Sequence, residues 1–501
     1  MDFMMNFPFI TIVLSLFSSV IAYALKGKQA RFVSYSLLGI CSLLHLGVLF
    51  YNLTGDGYFV YRMGHYDAPI GNEISAGLLE PFFALLFSLV MLFSLLGGAK
   101  RVFSDLEEGK YKLFYVMVNL VHAALAALAY TNDIFTGYVF IEICTIASCA
   151  LLMARSHGKS LVAATRYMIF SLMGSGLVLI GIILLYSITG HLLFPQMYES
   201  IQSLWTSGEY RIPLTVAIGL LVSGLAIKSG LFPFHFWMPD TYGTATPAAS
   251  AILSGVVSKG YIFFLLKLVF RVIGFEVFVS SGIQSVLFAL GILGMIFGSV
   301  SAIRTNNINF MIAFSSAAQI GYIYMGLGLG TKEAVISLLF QILAHALTKP
   351  MLFLAASKLS DTASGAQDFA SLHSSAHDHL FAGLGYSVGA LSMVGIPIFV
   401  GFVPKLFFAM AAFGHGLQTY CVLIALAIST ILNVVYFLRT LINIYSPPTR
   451  KVTRRHFVFQ TDRLFCVVMV LMLVVNVALG LCSQPVVNLF EAGFDLFLLV
   501  R

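Results

Sequence analysis

Glu142, Lys228, Lys259, His345, Lys349 and Lys405 each stand inside a stretch that is otherwise apolar for about the length that crosses a bilayer. An ionisable side chain at membrane depth costs several kcal/mol, roughly 2.5–3.5 for Lys or Asp on insertion scales. Six in one chain point to a path for charge or protons. The residue types fit proton transfer. Burial and a neighbouring carboxylate pull a lysine's proton affinity in opposite directions, so a lysine near Glu142 is poised to switch. Histidine titrates nearest neutral pH and can relay a proton through either ring nitrogen. His345 and Lys349 are spaced i, i+4 and share one helix face. Glu142 follows Asp133 by nine residues, about 13 Å along a helix, which puts it near the bilayer centre.

These residues need helices that hold them at one depth. The hydropathy pattern predicts an all-α polytopic membrane protein of about fourteen spans, near residues 5–25, 32–53, 76–97, 112–130, 132–153, 162–190, 213–240, 246–271, 282–303, 308–328, 333–357, 381–414, 417–445 and 463–482. With alternate loops assigned to the inside from Lys26–Arg31 onward, the inside receives eighteen of the 28 Lys and Arg and the outside five, as the positive-inside rule requires. Spans seven and twelve are interrupted, by Gly230 and Pro233 beside Lys228, and by Gly395, Pro397, Gly401 and Pro404 beside Lys405. Broken helices at matching places in two halves predict an inverted repeat with a site near the midplane. The expected division is residues 1–110 (spans one to three), 111–271 (first five-helix repeat), 282–446 (second repeat) and 447–501 (last span and tail). The breaks free backbone carbonyls that only water or polar groups can satisfy, so hydrated pockets are expected beside Lys228 and Lys405, with Lys405 mirroring Lys228.

Composition excludes other classes. The chain has 501 residues, 59% hydrophobic and only 10% charged, against about 25% charged in a globular domain. Its net charge of +7 lies in short loops between spans, so no nucleic-acid partner is implied. The first span lacks a basic leader and a cleavage site and reads as a retained helix. The six cysteines, Cys41, Cys144, Cys149, Cys421, Cys466 and Cys482, all fall in predicted spans with no CxxC spacing; inert buried thiols are expected, and no iron–sulfur or other cofactor site. His373, His377 and His379, with Asp378, form a loop cluster that reads as solvated rather than metal-binding. Lys267 can snorkel outward, Glu80 lies near the outer end of span three, and the basic run Arg450–His456 reads as an anchor at an anionic leaflet. The tail after Gln484 is too short and interrupted to span and is expected at the interface.

Several ordered segments carry a family resemblance: LAIKSGLFPFHFWMPDTYGTATPAASAILSGVVSKGYIF (225–263), NINFMIAFSSAAQIGYI (307–323), QILAHALTKPMLFLAASKL (341–359), GIPIFVGFVPKLFF (395–408) and NDIFTGYVFIEICTIASCALL (132–152). Over residues 75–445 the chain resembles the antiporter-like subunits of respiratory complex I, shared with Mrp-type sodium/proton antiporters and membrane-bound hydrogenases, and is closest in style to the D component of the Mrp antiporters. The resemblance implies fourteen helices in two inverted repeats and a lateral axis of charged residues. On it, Glu142 and Lys228 would be a coupled pair, Lys259 the central connector, His345 the continuation and Lys405 the end, with Lys349 and His235 also at motif positions. The chain departs from the family at Val403–Pro404, where Phe-Gly is frequent, and at Glu80, where a third-helix Asp is common.

The resemblance further implies a proton-translocating membrane subunit of a multi-subunit redox-driven pump of the hydrogenase, ferredoxin- or NADH-dehydrogenase type, or else a subunit of a non-redox sodium/proton antiporter. A partner event would drive the Glu142–Lys228 pair apart and send a proton through Lys259 and His345 to Lys405. The expected partners are other integral membrane subunits, sister antiporter-like subunits among them, iron–sulfur redox subunits and the lipid bilayer, in a prokaryotic cell membrane. Sodium prefers hard oxygen ligands, and Glu142 alone supplies an acidic oxygen in the core, so protons are the expected cargo.

Overall fold

The computed structural model describes residues 2–55, 57–63, 66, 71–447 and 462–499. The run Arg450–His456 lies outside the described residues. Among the described residues the regular structure is helical apart from one hairpin, β1 (Phe59–Arg62) antiparallel to β2 (Glu73–Ala76), with Phe59 opposite Ala76. In order, the helices are α1 (Phe7–Ala24), α2 (Gly27–Thr54), α3 (Leu79–Asp105), α4 (Tyr111–Tyr130), α5 (Ile134–Met153), α6 (Gly158–Thr189), α7 (Phe194–Ser207), α8 (Arg211–Ser229), α9 (Trp237–Thr244), α10 (Pro247–Ile252) and α11 (Ser258–Lys267). There follow α12 (Phe275–Ser280), α13 (Ile283–Arg304), α14 (Ile308–Leu329), α15 (Lys332–Thr362), α16 (Ser375–Asp378), α17 (Leu380–Val394), α18 (Phe402–Ala412) and α19 (Leu417–Tyr445). The chain closes with a helix over Arg463–Leu481, α20, and one over Gln484–Leu499, α21.

Thirteen helical stretches among the described residues are long and apolar enough to cross a membrane. The short pair α17 and α18 occupies the place of the expected twelfth span, so the order of crossings follows the hydropathy pattern. This is a multi-pass membrane protein. The stretch α10–α11 is buried on every side, and α14 and α15 nearly so. They form the centre, while α1, α2, α6, α13, α19 and α20 turn apolar faces outward.

Both interrupted spans end their first half in the same way. Gly230 (φ 81°) caps α8, its N–H bonding to the carbonyls of Ala226 and Ile227 while Leu231 N–H bonds to Ala226. Gly395 (φ 90°) caps α17, its N–H bonding to Leu391 and Ser392 while Ile396 N–H bonds to Leu391. A left-handed glycine is the usual stop for a helix because a Cβ is strained there.

A second pattern also recurs. Ahead of α5, Ile134 N–H bonds to Leu192 O and Phe194 N–H to Asn132 O. Ahead of α14, five crossings later, Ile308 N–H bonds to Gln367 O and Phe369 N–H to Asn306 O. Asp133 and Asn307 cap the two helices that start there, Asp133 Oδ1 accepting from Thr136 N–H at 2.6 Å and Asn307 Oδ1 from Asn309 N–H at 2.9 Å.

The tail is too short to span, as expected, but it is not interrupted. It is one continuous helix, α21, laid against the ends of α3, α11 and α15. Phe490 stacks on Phe83 at 6.0 Å and Phe494 meets Phe270 edge-on at 5.0 Å. A phenylalanine every three or four residues places these rings on one face, and that face is what keeps the segment helical.

Candidate functional site

Glu142 lies midway along α5 and is half-buried. Its helix face continues through Val139 and Ile146, 39% and 62% exposed, so the carboxyl stands on a lateral apolar surface. One carboxyl oxygen, Oε1, is buried without a hydrogen-bond partner.

Lys228, 1% exposed, sits in the last turn of α8 just ahead of Gly230. Its ammonium donates to Thr145 Oγ1 at 2.8 Å and lies over the ring of Tyr261 at 5.5 Å. Thr145 is one turn beyond Glu142 on α5. Glu142 acts on Lys228 through space, but Lys228 spends its hydrogen bond on the threonine, so the two are not a contact ion pair. The lysine stem is accommodated by a crossing of glycines. A Cβ on Gly224 would stand 2.5 Å from Gly174 O, and one on Gly174 would stand 3.1 Å from Lys228 Cγ. Small residues let α6 and α8 approach this closely.

Lys259 is fully buried. The preceding segment, Leu253–Val257, is a π-helical turn, and this widening frees carbonyls that an α-helix would consume. Lys259 Nζ donates to one of them, Ser254 O, and to Ser258 Oγ at 3.1 Å.

On α15, Gln341, His345 and Lys349 follow one another at i, i+4, i+8, all buried. Gln341 Nε2 donates to Gln319 Oε1 of α14 at 2.7 Å. Neither ring nitrogen of His345 has a protein partner. Lys349 donates to Ile312 O at 2.9 Å and to Ser315 Oγ. Lys259, His345 and Lys349 act on one another electrostatically, so the central helices bring these three together.

Lys405, half-buried, is in the first turn of α18. It folds back to the end of α17, donating to Met393 O at 3.0 Å and Val394 O at 2.7 Å, above the ring of Tyr322 at 5.3 Å. It does not mirror Lys228. Both cations serve a half-helix carbonyl end, where the dipole favours positive charge, but Lys228 stands before its break and Lys405 after.

The structure adds polar side chains that the sequence reading passed over. Thr145, which accepts from Lys228, also lies 3.4 Å from Tyr261 Oη. Asn433 Oδ1 accepts from Tyr436 Oη at 2.6 Å and from Ser299 Oγ at 3.3 Å. Their signal was present as polar residues in apolar spans, but hydroxyls are too common in such helices to single out. His235 is buried, with Nδ1 unpartnered and its ring stacked on Phe236 at 4.6 Å.

Lys267 corrects an expectation. It does not snorkel: fully buried, it donates to Ala129 O at 2.8 Å and Thr131 O at the end of α4. The outer ends of α3 and α11 are covered rather than wet. Arg271 and Glu80, each about 1% exposed, pair at 3.2 Å there. The cysteines also differ from the all-buried expectation, since Cys482 is exposed at the end of α20. His379 belongs to a helix cap and not to a solvated cluster, Nδ1 accepting from Ala382 N–H at 3.2 Å.

Residues 131–433 match the family model described as NADH:quinone oxidoreductase/Mrp antiporter, transmembrane. The chain is 30% identical to the N component of the NADH-quinone oxidoreductase of Desulforudis audaxviator over 88% of its own length and 86% of that protein. It is 26% identical to the D component of the Na(+)/H(+) antiporter of Alkalihalophilus pseudofirmus, covering 79% and 78%. Among solved structures, a chain of the membrane-bound sulfane sulfur reductase, an archaeal respiratory membrane complex, superposes with a TM-score of 0.86 over 98% of this chain and 97% of that one, at 24% identity.

Proposed function

Because the chain belongs to the NADH:quinone oxidoreductase/Mrp antiporter transmembrane family, we propose that it is a proton-translocating, antiporter-like subunit of a multi-subunit, redox-driven ion pump in a prokaryotic cell membrane. The proton route runs Glu142, Lys228, Lys259, His345 and Lys405, with Lys349 supporting the His345 step. The observation that carries this reading is the setting of the cations. Lys228, Lys259 and Lys405 stand at a broken or π-helical turn and Lys349 against α14, and each rests on carbonyls or hydroxyls, with no carboxylate in contact among the described residues to hold its charge in place. A buried charge balanced by dipoles alone is ready to leave as a proton.

The two ends of the route, on α5 and α18, are both half-exposed, Glu142 among Val139 and Ile146, Lys405 next to Leu406 at 44% and in the same loop-helix segment as Ile398 at 54%. Apolar lateral faces with an ionisable group at the centre suit contact with other integral membrane subunits, sister antiporter-like subunits among them. Iron–sulfur subunits belong to the redox form of the assembly. The matched glycine caps and paired backbone bonds support two inverted five-helix repeats, residues 111–271 and 282–446. The likeness to the D component of a sodium/proton antiporter favours a second reading, a non-redox antiporter of the Mrp type. The iron–sulfur content of the purified complex separates the two.

Moving one charge against 100 mV costs about 2.3 kcal/mol. In reconstituted complex, Glu142→Ala and Lys228→Ala should each reduce coupled proton translocation by about tenfold or more while the subunit still assembles. Wild-type pumping by both variants would defeat the assignment.

A further inference from the structure

A second set of buried ionisable groups lies outside the axis, in helices α1–α4. His122 of α4 is 1% exposed, and both its ring nitrogens have hydroxyl partners. Nδ1 is 2.8 Å from Ser15 Oγ of α1 and Nε2 is 2.7 Å from Ser88 Oγ of α3. His45 of α2, fully buried, is the next ring, with centroids 6.1 Å apart. Its Nδ1 is 2.9 Å from Tyr130 Oη at the end of α4, and its Nε2 has no protein partner. Tyr130 feels the charge of Glu80. Glu80 pairs with Arg271, which donates to Ser75 Oγ and Tyr58 Oη, each at 3.0 Å. Tyr58 is partly exposed. From His122 to Tyr130 is about 12 Å along the helix, from mid-depth to the sparsely basic face. Between His122 and Tyr130, α4 packs on α11, where a Cβ at Gly260, the residue after Lys259, would stand 2.3 Å from Leu125.

We propose that His122, His45 and Tyr130 form a proton-conducting branch through α1–α4 that joins the midplane to the outer face, separate from the Glu142–Lys405 axis. The proposal rests on the reading of the chain as a proton-translocating subunit.

The chemistry lies in the two serines. Ser15 Oγ is also 2.6 Å from Thr11 O, and Ser88 Oγ 2.9 Å from Ala84 O. Each hydroxyl has one proton, given either to its helix carbonyl or to the ring. With both turned to the carbonyls the ring must carry two protons. With one turned inward the ring is neutral, in the tautomer that leaves that nitrogen bare. Each neutral tautomer therefore differs from the cation by one proton and one hydroxyl rotation, and the two tautomers differ from each other by two rotations and a proton shift between the ring nitrogens. A proton taken up at one nitrogen and released from the other leaves the ring neutral with its tautomer exchanged, so each transfer must be followed by a return of the tautomer, with the hydroxyls turned to match. The gap to His45 is too long for a direct bond and suits one bridging water. The other polar groups facing the rings are Cys41, whose Sγ lies 4.0 Å from Ser15 Oγ, and Tyr130 itself.

The test is His122→Gln in the intact complex in proteoliposomes, with proton movement read by a pH-sensitive dye during the complex's own driving reaction. Glutamine can bond both serines, so a purely structural role survives it, but it cannot exchange protons. The expected result is translocation lowered about tenfold or more with normal assembly; wild-type translocation overturns the proposal. A variant that fails to assemble is replaced by nitrogen-15 histidine spectra of the wild-type complex in bilayers. His122 should then exchange between its two neutral tautomers, and a single fixed tautomer overturns the branch. Lys259→Ala is the control. If it also pumps normally, the function itself is wrong; if only His122→Gln does, the branch alone falls.

Discussion

A lysine can hold a helix break open or pass a proton across it, and substitution by arginine tells the two apart. Lys405 is half-buried, and its ammonium donates to the carbonyls of Met393 and Val394. Lys405→Arg keeps the charge and the donors but cannot release a proton in a protein. It should assemble normally and lower proton translocation by about tenfold or more, measured with a pH-sensitive dye in proteoliposomes. Normal pumping by this variant would leave Lys405 only a static charge. The six residues of the proposed axis stood out in the sequence because ionisable groups are rare in apolar runs. Their partners were not. Lys228 and Glu142 are near in the fold, yet Thr145 takes the hydrogen bond, a choice set by side-chain direction on α5. Lys267 was misread for a related reason. Its distance from a helix end says nothing about whether α4 and α21 cover that end.

At the level of helices, the breaks were legible and their handedness was not. Glycine and proline announced both interruptions. Which side of each break the lysine would occupy depends on where the left-handed glycine falls, and Gly230 and Gly395 place Lys228 before and Lys405 after. The π-helical turn at Leu253–Val257 left no sequence mark, although it supplies the carbonyl on which Lys259 rests. Gly230 offers a direct test. Its φ is 81°, and a Cβ there would stand 2.2 Å from Met238 Sδ. Gly230→Ala should destabilise the protein by about 1–3 kcal/mol, seen as a lower midpoint in thermal unfolding of the purified complex. It should also lower pumping by moving Lys228. An unchanged midpoint would show that the chain ends α8 in another way.

Over the whole molecule, the inner ends of distant helices are tied by charge. Asp462, ahead of α20, meets Lys100 of α3 and lies 3.4 Å from Lys358 of α15. Asp361 pairs with Lys358 and with Arg101. Burial raises the Asp462 carboxyl, but the bonds from Lys100 and Lys358 outweigh it and hold the group below the usual carboxylate range. A carboxyl held low in the folded state stabilises it above the unfolded value and loses that effect as pH falls through the folded one. Asp462→Asn should therefore cost about 1 kcal/mol near neutrality, modest because the Lys100 side is exposed to solvent. The gap from wild type should close below about pH 4, as followed by denaturant unfolding at both pH values. A gap that persists in acid would mean that packing at the start of α20 is responsible. Hydropathy and basic loops revealed the number and order of crossings, but not this strap, whose members are scattered along the chain and meet only once the bundle has formed.

The two backbone bridges ahead of α5 and α14 have a further consequence. Each is made of main-chain atoms alone, joining Ile134 to Leu192 and Asn132 to Phe194 in one place, and Ile308 to Gln367 and Asn306 to Phe369 in the other. Bonds of this kind are indifferent to which side chains replace which. If an ancestral gene doubled, its two copies could exchange nearly every residue and still close these same clasps. The bridges are thus where the record of such a duplication would outlast the amino acids that first spelled it.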